Sequence, residues 1–251
     1  MDLNTAEWLL LLATGILAGA INSVASGGSF FTFPALLFTG LAPLSAATTT
    51  LAALTPGNVA AIPEFWPEVQ ADRHRYPREL AVVFAGGFIG IVLLFAVGAD
   101  GFAGLAPWLI LFATLLFALS PKIGSWATVN APSLRDGNLG SALIFIVSIY
   151  FTFFGSGVGA VFLALFTIRG FDNFLSANAA KNVTMAVGTI VATIAYGIAG
   201  FIAWWPLVPL FVGSAIGGRA GSRVARRVPV TALRWFVIFF GLFAAGWQFV
   251  T

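Results

Sequence analysis

Long apolar runs, separated by short polar or glycine-rich breaks, cover almost the whole chain. Ten runs predict helices, at residues 7–24, 29–40, 43–62, 78–98, 105–120, 139–154, 158–169, 173–198, 203–218 and 231–250. A helix needs about 20 apolar residues, and no fewer than about 17, to cross a bilayer. The runs at 29–40 and 158–169 are too short to cross alone, and each follows a Gly/Ser break. We therefore expect two helical hairpins whose non-helical tips are surrounded by protein or line a cavity.

The composition identifies the class of protein. Hydrophobic residues make up 59% of the 251 residues and charged residues only 8%, whereas soluble domains carry about 25% charged residues. This excludes a soluble enzyme, a nucleic-acid-binding protein and a disordered chain, and predicts a single all-α polytopic membrane domain over residues 1–251. The first apolar run follows Asp2 and Glu7 rather than the basic residues of a secretory signal, so we expect it to be retained.

The residue types also limit the chemistry. The chain has no cysteine, one histidine and two methionines, which excludes disulfides and cysteine metal sites and argues against soft-metal transport. We expect no metal and no cofactor. An intramembrane hydrolase would need a base near Ser26 or Ser156, but the single histidine, His74, lies in a charged loop. We therefore expect no catalytic residue.

The basic residues predict the orientation. They are concentrated in the loop at 219–234 and in a second loop that holds Arg73, Arg75 and Arg78. Cytoplasmic loops are enriched in Lys and Arg. If residues 139–169 form a hairpin that enters and leaves on one side, four crossings separate the two loops and both face the cytoplasm. Eleven of the 12 Lys and Arg residues are then cytoplasmic, and both termini lie outside.

The two halves of the chain are similar at a shift of about 130 residues. The shift pairs Ser26-Gly27 with Ser156-Gly157, and Gly40 with Gly170. We expect two repeats, residues 1–122 and 139–251, joined by a cytoplasmic linker at 123–138. Each is a broken or re-entrant hairpin followed by three transmembrane helices, so the second is inverted relative to the first. Such inverted repeats are typical of secondary transporters with a mid-membrane substrate site. The alternative is that glycine-rich membrane helices align through composition alone.

Polar side chains recur in the two halves, at the hairpin tips and on the helix after each hairpin. They are Asn22, Ser23, Ser26, Ser29 and Ser156 at the tips, and Thr48, Thr49, Thr50, Asn58, Asn178, Lys181 and Asn182 on the helices. On a helix, Thr48 and Thr49 share a face with Ser45, and Asn178, Lys181 and Asn182 share another. We expect these groups to converge on one ligand, and half-helix N-termini at the tips would favour an anion. The alternative for the small residues is close helix packing.

Lys181 carries a positive charge that is predicted to lie inside a span. An intramembrane ionisable residue is functional by default, so we expect Lys181 to contact an anionic substrate or counter-ion. The alternative is that its stem snorkels to the inner interface, about 12 Å away at about 1.5 Å per residue.

No Asp or Glu is predicted in the interior of a span, so a carboxylate proton relay is not expected. Anion export needs no coupling ion, because one negative charge that leaves a negative interior gains about 2.3 kcal/mol per 100 mV. Alternatively, a proton could travel on the substrate itself.

The run AINSVASGGSFFTFPAL, from Ala20 to Leu36, resembles the Gly-rich opening of the sulfite exporter TauE/SafE family. The segment Ala46-Ala47-Thr48-Thr49-Thr50 is similar to the short Ala/Thr/Ser motif that follows in that family. The second-half copy, Gly155 to Gly159 followed by Ser176 to Ala179, fits less closely. The resemblance covers nearly the whole chain, including its two-half organisation.

The resemblance implies a multi-pass transporter of a bacterial or archaeal inner membrane, with export of sulfite, a sulfonate or a related small organic anion as the expected function. From the inverted repeat and Lys181 we expect alternating access around an anion bound between the two hairpin tips. The resemblance places the substrate nearest the stretches at 22–29, 48–50 and 155–159. With the polar residues above, the substrate-binding candidates are Asn22, Ser23, Ser26, Gly27, Gly28, Ser29, Thr48, Thr49, Thr50, Asn58, Ser156, Gly157, Gly159, Asn178, Lys181 and Asn182. The expected partners are a small anionic substrate and the lipid bilayer, with no nucleic acid and with a homodimer as an option.

Two other functions fit the same pattern. An anion channel would use the same polar groups, and single-channel currents rather than slow saturable flux would distinguish it. A membrane assembly factor without transport activity would show neither ligand binding nor flux. A cation carrier is disfavoured by Lys181 and by the absence of acidic residues from the predicted span interiors.

Overall fold

The computed structural model describes residues 3–24, 26–130, 134, 137–171, 173–225, 235–243 and 246, and within these ranges the regular structure is helical with no strand. The helices are α1 (Thr5–Val24), α2 (Ser29–Phe38), α3 (Pro43–Ala61), a 3₁₀-helix (Ile62–Phe65), α4 (Trp66–Ala71), α5 (Tyr76–Asn130), α6 (Asn138–Phe153), α7 (Val158–Ile168), α8 (Phe174–Ile198) and α9 (Trp204–Val224). Residues 235–243 are also helical.

The distribution of polar and apolar groups is that of a membrane protein. Within the described ranges, three segments are long and apolar enough to span a membrane, namely Thr5–Val24, Tyr76–Ser120 and Phe174–Ile198. Large apolar side chains such as Phe88 and Ile194 are more than half exposed, while Lys181 is fully buried. Because an apolar exterior suits lipid rather than water, the chain is embedded in a membrane.

The first hairpin reverses the chain between α1 and α2. Ser26 has a left-handed backbone conformation with φ 62°, which is uncommon for a residue other than glycine, and its N–H donates to the Ile21 carbonyl. α2 then runs back along α1, since Gly28 lies against Ala18 near the tip. Farther along, Leu10 and the residues of α2 up to Phe38 line one groove. The two helices are therefore antiparallel.

The second hairpin joins α6 and α7 through a turn in which Gly155 has φ 84°. Near this turn the rings of Phe151 and Phe162 pack edge to face, with centroids 5.6 Å apart. At the other end, Arg169 Nη1 donates to the Gly137 carbonyl over 3.2 Å. The end of α7 thus returns to the start of α6.

α5 contains a break at Gly98, whose φ of 68° and ψ of −175° are open essentially only to glycine. Before this break, Gly86 lies against the carbonyl of Phe145. One turn later, Gly90 lies against the carbonyl of Ile149. The first half of α5 therefore runs parallel to α6.

The second half of α5 runs in the opposite direction. The rings of Phe102 and Phe153 are 5.9 Å apart at the centroid. Farther along α5, the Leu109 carbonyl accepts a hydrogen bond from Tyr150, which lies earlier on α6. The chain therefore reverses close to Gly98, and α5 consists of two antiparallel helices, in agreement with the two separate apolar runs.

Glycines allow α1 and α9 to touch backbone to backbone. A Cβ would overlap a carbonyl oxygen of the opposite helix at Gly15 and Gly19 of α1 and at Gly213, Gly217 and Gly221 of α9. Glycines four residues apart are typical of closely packed membrane helices. α3 joins this contact through Gly57, which lies against Ser214 and Gly218.

A buried ion pair ties the end of the second hairpin to the start of α5. Arg169 Nη2 lies 2.5 Å from Glu79 Oε1, and the two side chains are 5% and 3% exposed. Arg75 donates from Nη1 to the Gly170 carbonyl over 2.7 Å and from Nη2 to the Arg169 carbonyl. Its guanidinium carbon also lies 4.1 Å from the centre of the Phe171 ring.

The structure adds elements that the apolar pattern missed. The 3₁₀-helix and α4 occupy a stretch that carries Glu64 and Glu68 and is too short to show an apolar period. α5 remains helical as far as Asn130, which lies inside the segment expected to be a linker. Some residues counted as cytoplasmic lie outside the described part of the chain, namely Arg135, Arg226, Arg227 and Arg234.

We expect Gly217→Ala to lower the free energy of unfolding by about 1–3 kcal/mol, a typical cost of overpacking. The added Cβ would overlap the Ile16 carbonyl and push α1 and α9 apart. Thermal unfolding in detergent measures the effect, with Gly104→Ala as the matched control because a Cβ there meets nothing within 4 Å. Equal midpoints for the two variants would contradict this account.

We expect Glu79→Gln to destabilise the protein by about 3–5 kcal/mol, because it leaves the charge of Arg169 buried without its partner. The matched control is Glu64→Gln. Glu64 lies 3.2 Å from both Arg219 and Arg223 in a more exposed cluster, where a pair contributes about 0–1 kcal/mol. Thermal unfolding compares the stability of the two variants. A larger loss of stability for Glu64→Gln than for Glu79→Gln would contradict the stabilising role of the Glu79–Arg169 pair.

Candidate functional site

The two hairpin tips meet at the centre of the protein. Gly159, in the first turn of α7, packs so closely on Ser26 that a Cβ would overlap the Ser26 side chain. The same Cβ would lie 2.9 Å from Met185 Sδ of α8. Beside this contact, the rings of Phe33 and Phe154 pack edge to face with centroids 5.5 Å apart. Both tips and α8 therefore share one junction.

Lys181 holds the C-terminal end of α1. Its Nζ donates to the carbonyls of Asn22, over 2.9 Å, and of Ser23, over 3.4 Å. The side-chain amides of Asn178 and Asn182 also donate to the Ser23 carbonyl, over 3.1 and 3.3 Å. The last carbonyls of a helix lack intrahelical partners and carry its negative dipole end. Three side chains of α8, one of them charged, supply those partners.

This geometry decides against snorkelling, because Lys181 is fully buried and its ammonium is bonded to the first hairpin. The ammonium donates to backbone carbonyls of α1, a partner that the sequence alone did not predict. The charge contributes a positive potential near the tips, while its hydrogen bonds go to α1.

Asn22 connects α1 to α3 as well. Its Nδ2 donates to Asn58 Oδ1 over 2.8 Å, with both residues buried. Gly57, beside Asn58, lies against Ser214 of α9, and a Cβ on Gly57 would come within 2.5 Å of Ser214 Oγ. α1, α3, α8 and α9 thus contribute to one buried polar cluster.

Several polar atoms in and around this cluster lack a hydrogen-bond partner among the described residues. They are Ser26 Oγ, Thr50 Oγ1, Asn58 Nδ2, Asn178 Oδ1, Asn182 Oδ1, Thr184 Oγ1 and Ser214 Oγ. An unsatisfied buried polar group costs about 1–3 kcal/mol, so such atoms are kept where water, an ion or a ligand binds. Sequence reasoning missed Thr184, Ser214 and Met185, because an isolated serine, threonine or methionine in a span usually packs rather than binds.

Thr48 and Thr49, which are predicted to lie near the substrate, form hydrogen bonds with the loop that follows α8. Thr48 Oγ1 donates to the Phe201 carbonyl over 2.9 Å, and Thr49 Oγ1 accepts from the Ala203 N–H over 3.0 Å. Both threonines therefore hold the loop between α8 and α9. Thr50, on another face of α3, is buried, and its hydroxyl has no partner in the described part of the chain.

The remaining candidates surround the two turns. Gly27, Gly28 and Ser29 lead into α2, while Ser156 and Gly157 lead into α7, and all of them are buried. The first N–H groups of a helix have no intrahelical acceptors and form a natural anion site. The start of α7 therefore brings N–H donors to the junction, whereas the N–H groups of Phe30 and Phe31 in α2 already donate to the carbonyls of Gly27 and Gly28. Within the described ranges, no three His, Asp or Glu side chains lie together as a metal site would require.

Comparison with known proteins gives relatives of matching length. The model of the family described as sulfite exporter TauE/SafE matches residues 11–247. A probable membrane transporter protein, YfcA, of Escherichia coli K12 is 30% identical over 218 residues, which cover 86% of this chain and 79% of that protein. A probable membrane transporter protein of Haemophilus influenzae is 28% identical over 240 residues, covering 95% and 92% of the two chains. No solved structure gives a significant match. The chain therefore belongs to the sulfite exporter TauE/SafE family.

Proposed function

We propose that the protein is a secondary transporter that exports a small sulfur-containing or organic anion, such as sulfite or a sulfonate, by alternating access around the junction of the two hairpin tips. The observation that carries this proposal is the contact of Ser26 with Gly159 in the first turn of α7. Family membership and the names of the relatives support the transport class.

The junction suits an oxyanion. The unpaired hydroxyl of Ser26 lies against the N-terminal turn of α7, where free N–H groups and the positive dipole end favour negative charge. Lys181 adds a full positive charge at the adjoining end of α1. A sulfite or sulfonate oxygen could accept from the hydroxyl and from the amides of α7 at the same time.

Two equivalent turns support the inverted repeat. The same pair of backbone hydrogen bonds forms at the C-terminal ends of α2 and α7. After α2, Gly40 N donates to Leu37 O and Leu41 N donates to Leu36 O. After α7, Gly170 N donates to Thr167 O and Phe171 N donates to Phe166 O. At the tips, Ser26 N bonds to Ile21 O and Gly155 N to Tyr150 O. By its place in the turn, Ser26 thus corresponds to Gly155, one residue from the pairing with Ser156 drawn from the sequence.

Equivalent helix contacts support the repeat as well. Gly217 of α9 packs on the Ile16 carbonyl of α1, and Gly86 of α5 packs on the Phe145 carbonyl of α6. In both cases the first helix of one half runs parallel to a glycine-bearing helix of the other half. Exchange of such contacts between halves is how inverted repeats place a shared site at their interface.

A carrier is favoured over a channel because every candidate residue at the tips is buried. A conducting pore needs a continuous aqueous path lined by such groups. A carrier in an occluded state instead surrounds its site with packed helices and opens it to one side at a time. The meeting of both tips at one buried junction fits the carrier.

We further propose that the protein lies in the cytoplasmic membrane of a bacterium or archaeon with both termini outside. At the exit of the second hairpin, Arg169 pairs with Glu79, and Arg75 donates to the neighbouring Gly170 carbonyl. The end of α9 carries Arg219 and Arg223 beside Glu64. Placing both basic clusters in the cytoplasm satisfies the positive-inside rule.

We expect Gly159→Ala to abolish most of the flux, with initial rates reduced at least about tenfold, because the new methyl group fills the junction beside Ser26. Ser26→Ala should instead weaken apparent affinity by about tenfold, the effect of removing a hydrogen bond to a charged ligand. The assay is uptake of sulfite, sulfoacetate, taurine or sulfate into proteoliposomes, with Gly104→Ala as control.

Unchanged transport in folded Gly159→Ala would show that the substrate does not bind at the tip junction. Single-channel currents in planar bilayers would show that the protein is a channel rather than a carrier. Absence of both flux and current for all four compounds, with folded protein, would contradict the proposed function.

We expect labelling of single cysteines to follow the proposed orientation, and the cysteine-free chain needs no background mutations. Ala6→Cys and Asp100→Cys, both at exposed positions, should react with a membrane-impermeant maleimide added to intact cells. His74→Cys, also exposed, should react only after permeabilisation. The opposite labelling pattern would place both termini in the cytoplasm and would contradict the proposed orientation.

A further inference from the structure

Lys181 is a fully buried cation on α8, at the level of the first hairpin tip. Its Nζ is bonded to the backbone carbonyls of Asn22 and Ser23. Among the described residues no carboxylate forms an ion pair with it. A positive charge is therefore held inside the membrane domain by neutral oxygens.

The surroundings of this ammonium are those of a cation site. The carbonyls belong to the C-terminal end of α1, which carries the negative end of the helix dipole. The Oδ1 atoms of Asn178 and Asn182, whose amides bond to the same Ser23 carbonyl, are buried acceptors without a partner in the described chain. In transporters with broken helices, half-helix C-terminal ends and unwound carbonyls coordinate the coupling Na⁺ or H⁺. The ammonium of Lys181 occupies that place.

The other titratable groups on the described helices around Lys181 lie near the ends of those helices, except for tyrosines that lie within the spans. They are Glu7 of α1, Glu64 and Glu68 around α4, Tyr76, Arg78, Glu79, Asp100 and Lys122 of α5, Tyr150 of α6, Arg169 after α7, Tyr196 of α8, and Arg219 and Arg223 of α9. Glu79 is paired with Arg169, and Glu64 with Arg219 and Arg223. Among the residues that the structure describes, Lys181 is therefore the group bonded to the first tip that can exchange a proton.

We propose that the transporter is coupled to protons through Lys181, whose ammonium takes the position of a coupling cation and makes Na⁺ unnecessary. The proposal rests on the transport function above and names its coupling ion. In the occluded state Lys181 is protonated and binds the first tip to α8. To open, Nζ releases its proton to water on one side, and it regains a proton from the other side later in the cycle.

Loss of that proton weakens the attachment of the first tip. A charge-assisted hydrogen bond is roughly twice as strong as a neutral one, and a neutral amine no longer offsets the dipole end of α1. Ser26 lies three residues after Ser23 in the chain, and the carbonyls of Asn22 and Ser23 are the ones that Lys181 holds. Deprotonation of Lys181 is thereby linked to exposure of the residue that contacts α7.

The test is the reactivity of Ser26→Cys toward a small water-soluble thiol reagent, in the cysteine-free chain, with no substrate added. Three backgrounds are compared: Lys181, Lys181→Arg, which stays charged throughout, and Lys181→Met, which lacks the charge. His74→Cys, at an exposed position, reports the effect of pH on the thiol itself.

Relative to His74→Cys, we expect labelling of Ser26→Cys to rise at least about tenfold between about pH 6 and about pH 10 in the Lys181 background. It should stay constant in Lys181→Arg and be fast at both pH values in Lys181→Met. The same pH response in the Lys181 and Lys181→Arg backgrounds would overturn the proposal, and this comparison does not depend on the folding of Lys181→Met.

A second measurement links the proton to transport. In proteoliposomes with a trapped pH dye, Lys181→Arg should transport little, because its side chain cannot release a proton. Sulfite flux should carry about one more proton per anion with Lys181 than with Lys181→Met, since protons borne by sulfite are common to both. Equal stoichiometry in sodium-free buffer would overturn the coupling. Because labelling needs no substrate, a pH-dependent tip without any flux would instead contradict the proposed transport function.

Discussion

The bond from Lys181 to the open end of α1 is the interaction on which the centre of this protein depends. A helix that stops inside a membrane domain leaves carbonyls that lipid cannot satisfy. Here the ammonium and two asparagine amides of α8 satisfy them. Without these donors the first hairpin could not place its tip at that depth, and Ser26 would not reach α7.

Close helix packing is the second requirement, because it keeps this polar cluster away from lipid. Gly217 brings the backbones of α1 and α9 into contact, and Gly57 does the same for α3. Side chains at these positions would separate the helices and open the cluster around Asn22 and Asn58. The glycines that appear in the sequence as compositional bias are therefore what allows buried asparagines and a buried lysine in a membrane domain.

The sequence predicted the features that depend on local pattern. Short apolar runs after Gly/Ser breaks indicated both hairpins, and the spacing of Asn178, Lys181 and Asn182 indicated one polar face. What it could not supply were partners distant in the chain. The hydrogen bonds of Thr48 and Thr49 with the loop between α8 and α9 are an example. Lys181 was expected to meet an anion, and its hydrogen bonds go to carbonyls more than 150 residues away.

α1 and α7 meet with opposite polarity, which has a mechanistic consequence. α7 presents its N-terminal end at Gly159, where an anion is favoured, and α1 presents its C-terminal end at Ser23, where a cation is favoured. Ser26 lies in the turn after α1 and touches α7, so a movement of this tip changes both environments together. The proposed anion binding at one helix end and the proposed proton release at the other would then act on a single structural element. Coupling between substrate and proton requires such a shared element, and no carboxylate relay is needed to provide it.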